Sequence, residues 1–155
     1  MENIVIREAL PQEWDLAMEL AFRVFLKFES KEYGKKGTEA FAEFVTSENL
    51  RKLFLAGHYK VFVAVEGKKI IGVSSLRNTN HISLLFVDAN YHRRGIARRL
   101  LDYMEKYLKA TSFADHMTVH SAPYAIGFYH KMGFKDTGNQ TETDNIIYTP
   151  MMKMI

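Results

Sequence analysis

The stretch Val87-Asp88-Ala89-Asn90-Tyr91-His92-Arg93-Arg94-Gly95-Ile96-Ala97-Arg98-Arg99 decides the fold, because a strand pattern gives way to a helix pattern within it. Residues 82–87 form a mostly apolar run that is rich in strand-forming side chains. The residues that follow repeat apolar side chains at the three- and four-residue spacing of a helix, namely Leu100, Leu101, Met104 and Leu108. The sequence therefore predicts a buried strand that passes through a basic, glycine-containing turn into a helix.

A turn of this kind is suited to bind a phosphate group. The start of a helix leaves about four backbone N–H groups without intrahelical partners and carries about half a positive charge, so an anion docked there satisfies both. Gly95 lets the backbone approach a ligand closely. Positive charge comes from four arginines, of which only those that turn toward the ligand make forked contacts: Arg93, Arg94, Arg98 and Arg99.

The turn resembles the pyrophosphate loop of the GNAT superfamily of acyl-CoA-dependent N-acyltransferases, which reads Q/R-x-x-G-x-G/A. His92-Arg93-Arg94-Gly95-Ile96-Ala97, hereafter the phosphate loop, occupies these positions, and His92 stands where glutamine or arginine is usual. Residues 125–134 resemble the later family motif A-x-x-F-Y-x-K-x-G-F, and residues 147–153 resemble the family's last strand. The resemblance covers nearly the whole chain and implies acetyl-CoA as co-substrate.

Composition predicts one domain over residues 1–155 and excludes several chemistries. The chain has no cysteine, so disulfides, thiolate zinc sites and an acyl-cysteine intermediate are excluded, which favours direct transfer. Positive charge collects near the phosphate loop, since residues 92–110 carry six basic and two acidic side chains. The first eight residues match neither a secretory signal nor a spanning helix, so we expect a cytoplasmic enzyme without a membrane partner.

The pattern of elements predicts an α+β fold. A first strand over residues 4–6 precedes a helix that begins at Pro11, and Thr38 is the expected N-cap of a second helix. Residues 59–65 and 70–76 predict a hairpin. A strand, a crossover helix and another strand then imply one parallel pair in an otherwise antiparallel sheet.

The resemblance implies a GNAT-like mixed, mostly antiparallel sheet whose parallel pair splays apart, with helices on both faces. Backbone groups on the splayed strands would pair with the amides of the pantetheine arm. It further implies a cofactor-binding set along the strand and the loop: Leu85, Phe86, Val87, Arg93, Arg94, Gly95, Ile96, Ala97 and Arg98.

Acetyl transfer to an amine requires a neutral amine, stabilisation of the carbonyl oxyanion and a proton for the departing thiolate. By resemblance, Tyr129 is the general acid, and a backbone N–H near Val87 meets the oxyanion. The alternative for Tyr129 is a core aromatic beside Phe128. Three residues are candidates for the base, Glu29, Asp88 and His120.

His120 is predicted to be catalytic because its strand end lies opposite Val87, where an imidazole could face the cleft. The alternative is an edge histidine that is bonded to a carbonyl. Glu29 and Glu32 are predicted to bind the acceptor, since by resemblance the first helices form the acceptor side, and the alternative for both is solvated helix surface. His116 and His120 would lie roughly 13 Å apart on a strand, too far to share a metal, so no metal is expected.

These observations predict an N-acetyltransferase that moves an acetyl group from acetyl-CoA directly to a primary amine on a small molecule or peptide. One alternative is a domain that senses acyl-CoA without transfer. Another is a basic nucleic-acid-binding module built on Tyr91 and the arginines, which the small size of the basic patch disfavours. A homodimer is compatible with the sequence.

Overall fold

The computed structural model describes residues 3–143 and 145–155. The strands are β1 (Ile4–Glu8), β2 (Lys60–Glu66), β3 (Lys69–Arg77), β4 (His81–Val87), β5 (His116–Ser121), β6 (Lys135–Asp136), β7 (Thr141–Thr143) and β8 (Ile146–Met154). The helices are α1 (Trp14–Phe28), α2 (Ser30–Val45), α3 (Glu48–Leu55), α4 (Ile96–Thr111) and α5 (Ile126–Lys131). Within these ranges, no helix is both long and apolar enough to cross a bilayer.

The strands form a mixed sheet in the order β1-β2-β3-β4-β5-β8-β6, and β7 pairs with β8. Across the described part of the chain, the pair β4 and β5 is the single parallel one. These two strands are in register at two described positions, His81 with Thr118 and Ile82 with Val119, and they diverge beyond them. The predicted α+β fold with one splayed parallel pair is therefore confirmed.

A β-bulge at Ser83 changes the direction of the side chains along β4. Leu76 pairs with Ile82 and Ser75 pairs with Leu84, so Ser83 is an extra residue in the ladder. Ile82 packs in the core under α4, whereas Leu84 packs in the core under α1. On a regular strand, residues two positions apart would lie on the same face. The bulge therefore lies where β4 leaves its parallel partner.

Helices cover both faces of the sheet, as predicted. The apolar side chains of α4 that the helical spacing singled out are at most 1% exposed and pack on one face: Leu100, Leu101, Met104 and Leu108. Strand β2 alternates between the two cores, because Phe62 faces α4 while Val61 and Val63 face α1. Each face of the sheet is thus buried under its own set of helices.

The prediction that Thr38 caps the second helix is wrong. Helix α2 already begins at Ser30, kinks at Gly34, where φ is +71°, and continues through Gly37. A Cβ at Gly37 would lie 2.7 Å from the Asn145 carbonyl oxygen, so the close approach of the turn before β8 requires glycine here. Tertiary packing therefore overrides the low helix propensity of glycine. The short strand β7 was also not predicted.

Candidate active site

A cleft of about 510 Å³ opens where β4 and β5 diverge. Helices α1 and α2 supply aromatic side chains to it, and the sheet supplies polar ones. Its polar lining residues are Glu29, Tyr33, Arg77, His81, Ser83, His120, Tyr129, Thr143 and Tyr148. Residues from eight of these helices and strands thus converge on one space between the splayed strands and the first helices.

The backbone of β4 presents hydrogen-bonding groups to the gap between the strands. The Asp88 N–H donates to the Ile71 carbonyl of β3 at 2.8 Å. Because successive residues of an antiparallel strand direct their backbone groups to opposite sides, those of Leu85 and Val87 point away from β3, toward β5. The predicted border of the pantetheine arm therefore has donors and acceptors that the sheet itself does not use.

His92 has a structural role that its mismatch with the family motif did not reveal. Its Nε2 lies 2.7 Å from the Val87 carbonyl oxygen, which can only accept, so Nε2 carries the proton. Its ring also packs against Phe28 of α1, with the ring centroids 4.9 Å apart. His92 therefore fastens the phosphate loop to the end of β4 and to the first helix.

The phosphate loop adopts the strained backbone that exposes its amides. Arg93 and Gly95 both lie in the left-handed region, with φ of +63° and +75°, and Gly95 is the N-cap of α4. The first helical hydrogen bond runs from Arg99 N to Gly95 O at 3.0 Å, so the amides of residues 96–98 have no intrahelical acceptor. Ile96 turns its side chain into the core and contributes only its main chain to the loop.

The arginines around the loop differ in their surroundings. Arg99 donates to the Ile4 carbonyl at 2.8 Å and therefore points away from the loop. The guanidinium of Arg94 lies 5.0 Å from the centre of the Tyr91 ring. Arg93 and Arg98 are exposed. The predicted cofactor-binding residues from 93 to 98 lie between the end of β4 and the first turn of α4, and none of them is among the residues that line the cleft.

Tyr129 combines both interpretations that the sequence left open. Its side chain is 5% exposed and its ring packs edge-on against Phe128 and Phe134, as a core aromatic would. Tyr129 also lines the cleft. Its hydroxyl makes no hydrogen bond to the described residues. Burial raises the pKa of the Tyr129 phenol above its usual value of 10, and Glu29 and Tyr33 add to the effect. The hydroxyl therefore stays protonated throughout the neutral range.

Glu29 lines the same cleft, whereas Glu32 does not. Burial and the neighbouring Glu32 carboxylate raise the pKa of Glu29 to about 7, so it exchanges a proton in the neutral range. Glu32 is exposed, and its carboxylate accepts a hydrogen bond from the Tyr124 backbone N–H at 3.1 Å. Glu32 thus links the junction of α1 and α2 to the turn before α5.

His120 lies in a second polar group, near the closed end of the gap. Its ring stacks on Tyr148 at 4.1 Å and meets the edge of His81 at 4.6 Å. Burial, reinforced by the positive charge of Arg77, lowers the pKa of His120 below its usual value and that of His81 to about 4. Both imidazoles are therefore neutral at pH 7.

Asp88 lies outside the cleft lining and serves as a cap. Its carboxylate accepts from the Asn90 backbone N–H at 2.9 Å and from Arg23 at 3.0 Å. Burial alone would raise the pKa of Asp88, but these hydrogen bonds outweigh it and lower the pKa. In the described residues, no group of three or more metal-ligating side chains converges.

Sequence reasoning missed five polar lining residues: Arg77, His81, Ser83, Thr143 and Tyr148. Arg77 and His81 flank a turn and face each other in the ladder of β3 and β4. The sequence predicted the turn between them but not the bulge that follows it. The bulge determines which face of the sheet these side chains occupy. Tyr148 reaches His120 through the antiparallel pairing of β5 with β8, which no local pattern specifies.

Comparison with known proteins matches this geometry to one family. Residues 29–155 match the acetyltransferase (GNAT) domain family. The uncharacterized N-acetyltransferase YafP of Escherichia coli is 29% identical over 140 residues, which cover 90% of this chain and 87% of that protein.

Two solved structures share the fold. A GCN5-related N-acetyltransferase from Rhodopseudomonas palustris has a TM-score of 0.85 at 23% identity, with coverage of 100% of this chain and 98% of that one. The PaiA N-acetyltransferase of Thermoplasma acidophilum, solved in complex with coenzyme A, has a TM-score of 0.74 at 20% identity and 99% coverage of both chains. With its splayed strands, its phosphate loop and this match over most of its length, the chain belongs to the GNAT acetyltransferase family.

Proposed function

We propose that this protein transfers an acetyl group from acetyl-CoA directly to a primary amine in the cleft. The observation that carries the proposal is the placement of the Tyr129 hydroxyl and the Glu29 carboxylate in one cleft beside the backbone of β4. One is a phenol that stays protonated, and the other is a carboxyl group whose pKa lies near neutrality. A proton donor and a proton acceptor are the two groups that the reaction requires.

The backbone groups of Leu85 and the Val87 N–H, together with the amides of the phosphate loop, support the binding of the thioester substrate. The loop would hold the diphosphate through the main chain of residues 95–98 and the exposed Arg93 and Arg98. The gap between β4 and β5 would take the pantetheine arm along Leu85, Phe86 and Val87. The CoA-bound neighbour of the same fold is consistent with this use of the site.

Within the cleft, each proton has a proposed path. Glu29 removes a proton from the attacking ammonium group, a new N–C bond forms at the acetyl carbon, and the C–S bond breaks. Tyr129 gives its phenolic proton to the departing sulfur, and the second proton that the nitrogen loses as the amide forms restores the phenol. We assign the base to Glu29 rather than to His120, because the charge of Glu29 acts directly on Tyr129 and Tyr33, whereas His120 lies with Arg77.

The pH dependence of the rate should distinguish the two bases. If Glu29 is the base, its ionised form is active, so kcat/KM for the amine should rise with pH through about 7 and then level off apart from the titration of the amine itself. Glu29→Gln should lose this limb, and His120→Ala should keep it. A rise centred below pH 6.5 that disappears in His120→Ala would instead make His120 the base, because its pKa lies below its usual value.

The proposed activity itself is tested by a screen of amine acceptors in which the free thiol of CoA is the readout. We expect thiol release that depends on the amine and that is matched by an acetylated product of the amine detected by mass spectrometry. Tight binding of acetyl-CoA with only slow, amine-independent loss of the thioester over the whole screen would favour the sensor interpretation.

A further inference from the structure

The closed end of the cleft carries a positive charge that no residue described by the structure neutralises. Arg77 ends β3 and lines the cleft, and it forms no salt bridge or hydrogen bond with the residues that the structure describes. It lies opposite His81 in the ladder, at the end where β4 and β5 still pair. The rings of His81 and His120 are 4.6 Å apart, and all three side chains, hereafter the basic end, line the cleft.

The distribution of charge along the cleft is uneven. Among the described lining residues Glu29 is the one carboxylate, and it lies with Tyr33 and Tyr129 rather than with Arg77. The cleft also presents aromatic side chains, including Phe41 and Phe86, whose ring centroids are 5.6 Å apart. The cleft thus combines a proton-exchanging group, an aromatic lining and a separate cationic group.

From this arrangement we infer that the amine acceptor also carries a carboxylate, which binds at Arg77 while its amine is directed toward Glu29 and Tyr129. The inference rests on the proposed function for the amine, and on Arg77 for the carboxylate. A guanidinium binds a carboxylate through two parallel hydrogen bonds, and the neighbouring imidazoles are neutral and able to donate. The aromatic side chains that line the cleft accommodate the apolar part of such an acceptor.

The same arrangement disfavours a polyamine. A second ammonium group at the basic end would face a guanidinium without a carboxylate among the described lining residues, and like charges repel. An alkylamine without a second charged group would leave Arg77 without a partner but would meet no repulsion at that end. The expected order of acceptors is therefore amino carboxylate, then simple monoamine, then diamine.

Matched acceptors test this order. 4-(Aminomethyl)benzoate and benzylamine differ by the carboxylate alone, which stands across an aromatic ring from the amine, and ε-aminocaproate, hexylamine and hexamethylenediamine repeat the comparison with a flexible chain. We expect the preferred carboxylate of these pairs to exceed its parent amine in kcat/KM. In Arg77→Gln that ratio should fall about 10- to 100-fold, the effect of losing a hydrogen bond to a charged group, while the parent amine changes little. The ratio between wild type and variant cancels the intrinsic reactivity of each amine.

Two further variants and a binding measurement complete the test. Arg77→Lys should retain part of the preference, and Arg51→Gln, which removes an arginine outside this cleft, should leave it unchanged. 4-Methylbenzoate and caproate, which have no amine, should bind to wild type in the presence of CoA and bind at least tenfold more weakly to Arg77→Gln by calorimetry.

The outcomes separate this inference from the proposed function. Equal turnover of carboxylated and parent amines in wild type, or an equal loss for both in Arg77→Gln, would refute the carboxylate subsite while leaving the transferase in place. If no amine is acetylated but the binding of the two acids depends on Arg77, the proposed function is wrong and the anion site stands.

Discussion

Tyr129→Phe should lower kcat for acetyl transfer by about 10²- to 10⁴-fold, the usual contribution of a positioned general acid. The departing thiolate would then take its proton from water. The ring should keep its place, since the contacts with Phe128 and Phe134, at centroid distances of 5.3 and 5.2 Å, do not involve the hydroxyl. Steady-state kinetics with the best acceptor of the screen measures the effect.

The matched control is Tyr107→Phe. This variant removes a hydroxyl from a partly buried tyrosine that packs on the same core as Tyr129 but does not line the cleft. Both variants should melt near the wild-type temperature and bind CoA with wild-type affinity, and only Tyr129→Phe should lose activity. Full turnover in Tyr129→Phe with an unchanged pH profile would remove Tyr129 from the chemistry and leave it as a core aromatic.

Gly95→Ala should weaken CoA binding by about 10- to 100-fold, because a methyl group would stand where the diphosphate approaches the loop amides and would disrupt at least one hydrogen bond to a charged group. In the protein alone, a Cβ at Gly95 meets no atom within 4 Å. The backbone there has a φ of +75°, so alanine should also cost about 1 kcal/mol of stability. Calorimetric titration with CoA and thermal melting separate the two effects.

Gly57→Ala provides the matched control. Gly57 also lies in the left-handed region, with φ of +83°, and a Cβ there also meets nothing within 4 Å, but the residue follows α3, away from the loop. Both variants should lose a similar amount of stability, and only Gly95→Ala should lose CoA affinity. Wild-type affinity in Gly95→Ala would show that the diphosphate is bound elsewhere. Acetylpantetheine, which has no diphosphate, should be used equally well by Gly95→Ala and wild type.

Local pattern was enough to predict the elements that carry the family motifs. The apolar spacing around Leu100 and Met104 specified α4, and the change of period before Gly95 specified the loop, because both are properties of consecutive residues. Thr38 was misassigned for the opposite reason. Glycine is required inside the helix at position 37 because the Asn145 carbonyl lies where a Cβ would stand, a contact between residues more than a hundred positions apart.

The sequence predicted those site residues that belong to a recognisable motif or helix, and it missed those whose position depends on strand register. Tyr129 and Glu29 were identified beforehand, and both line the cleft. Arg77 has no local pattern that distinguishes it from a surface arginine. It becomes a candidate only when the hairpin pairing places it opposite His81 and the bulge at Ser83 sets the face of β4 beyond it. An extra residue in a ladder leaves no periodic trace in the sequence.

The buried carboxyl of Glu29 carries a thermodynamic consequence. Its pKa is about 7 in the fold and 4.5 in the unfolded chain, so the unfolded state releases this proton first as the pH rises. The resulting penalty on folding is absent below pH 4.5, grows up to pH 7 and then stays constant at no more than about 3 kcal/mol. The protein thus gives up conformational stability in the pH range where this carboxylate is ready to accept a proton, as enzymes commonly do at catalytic centres.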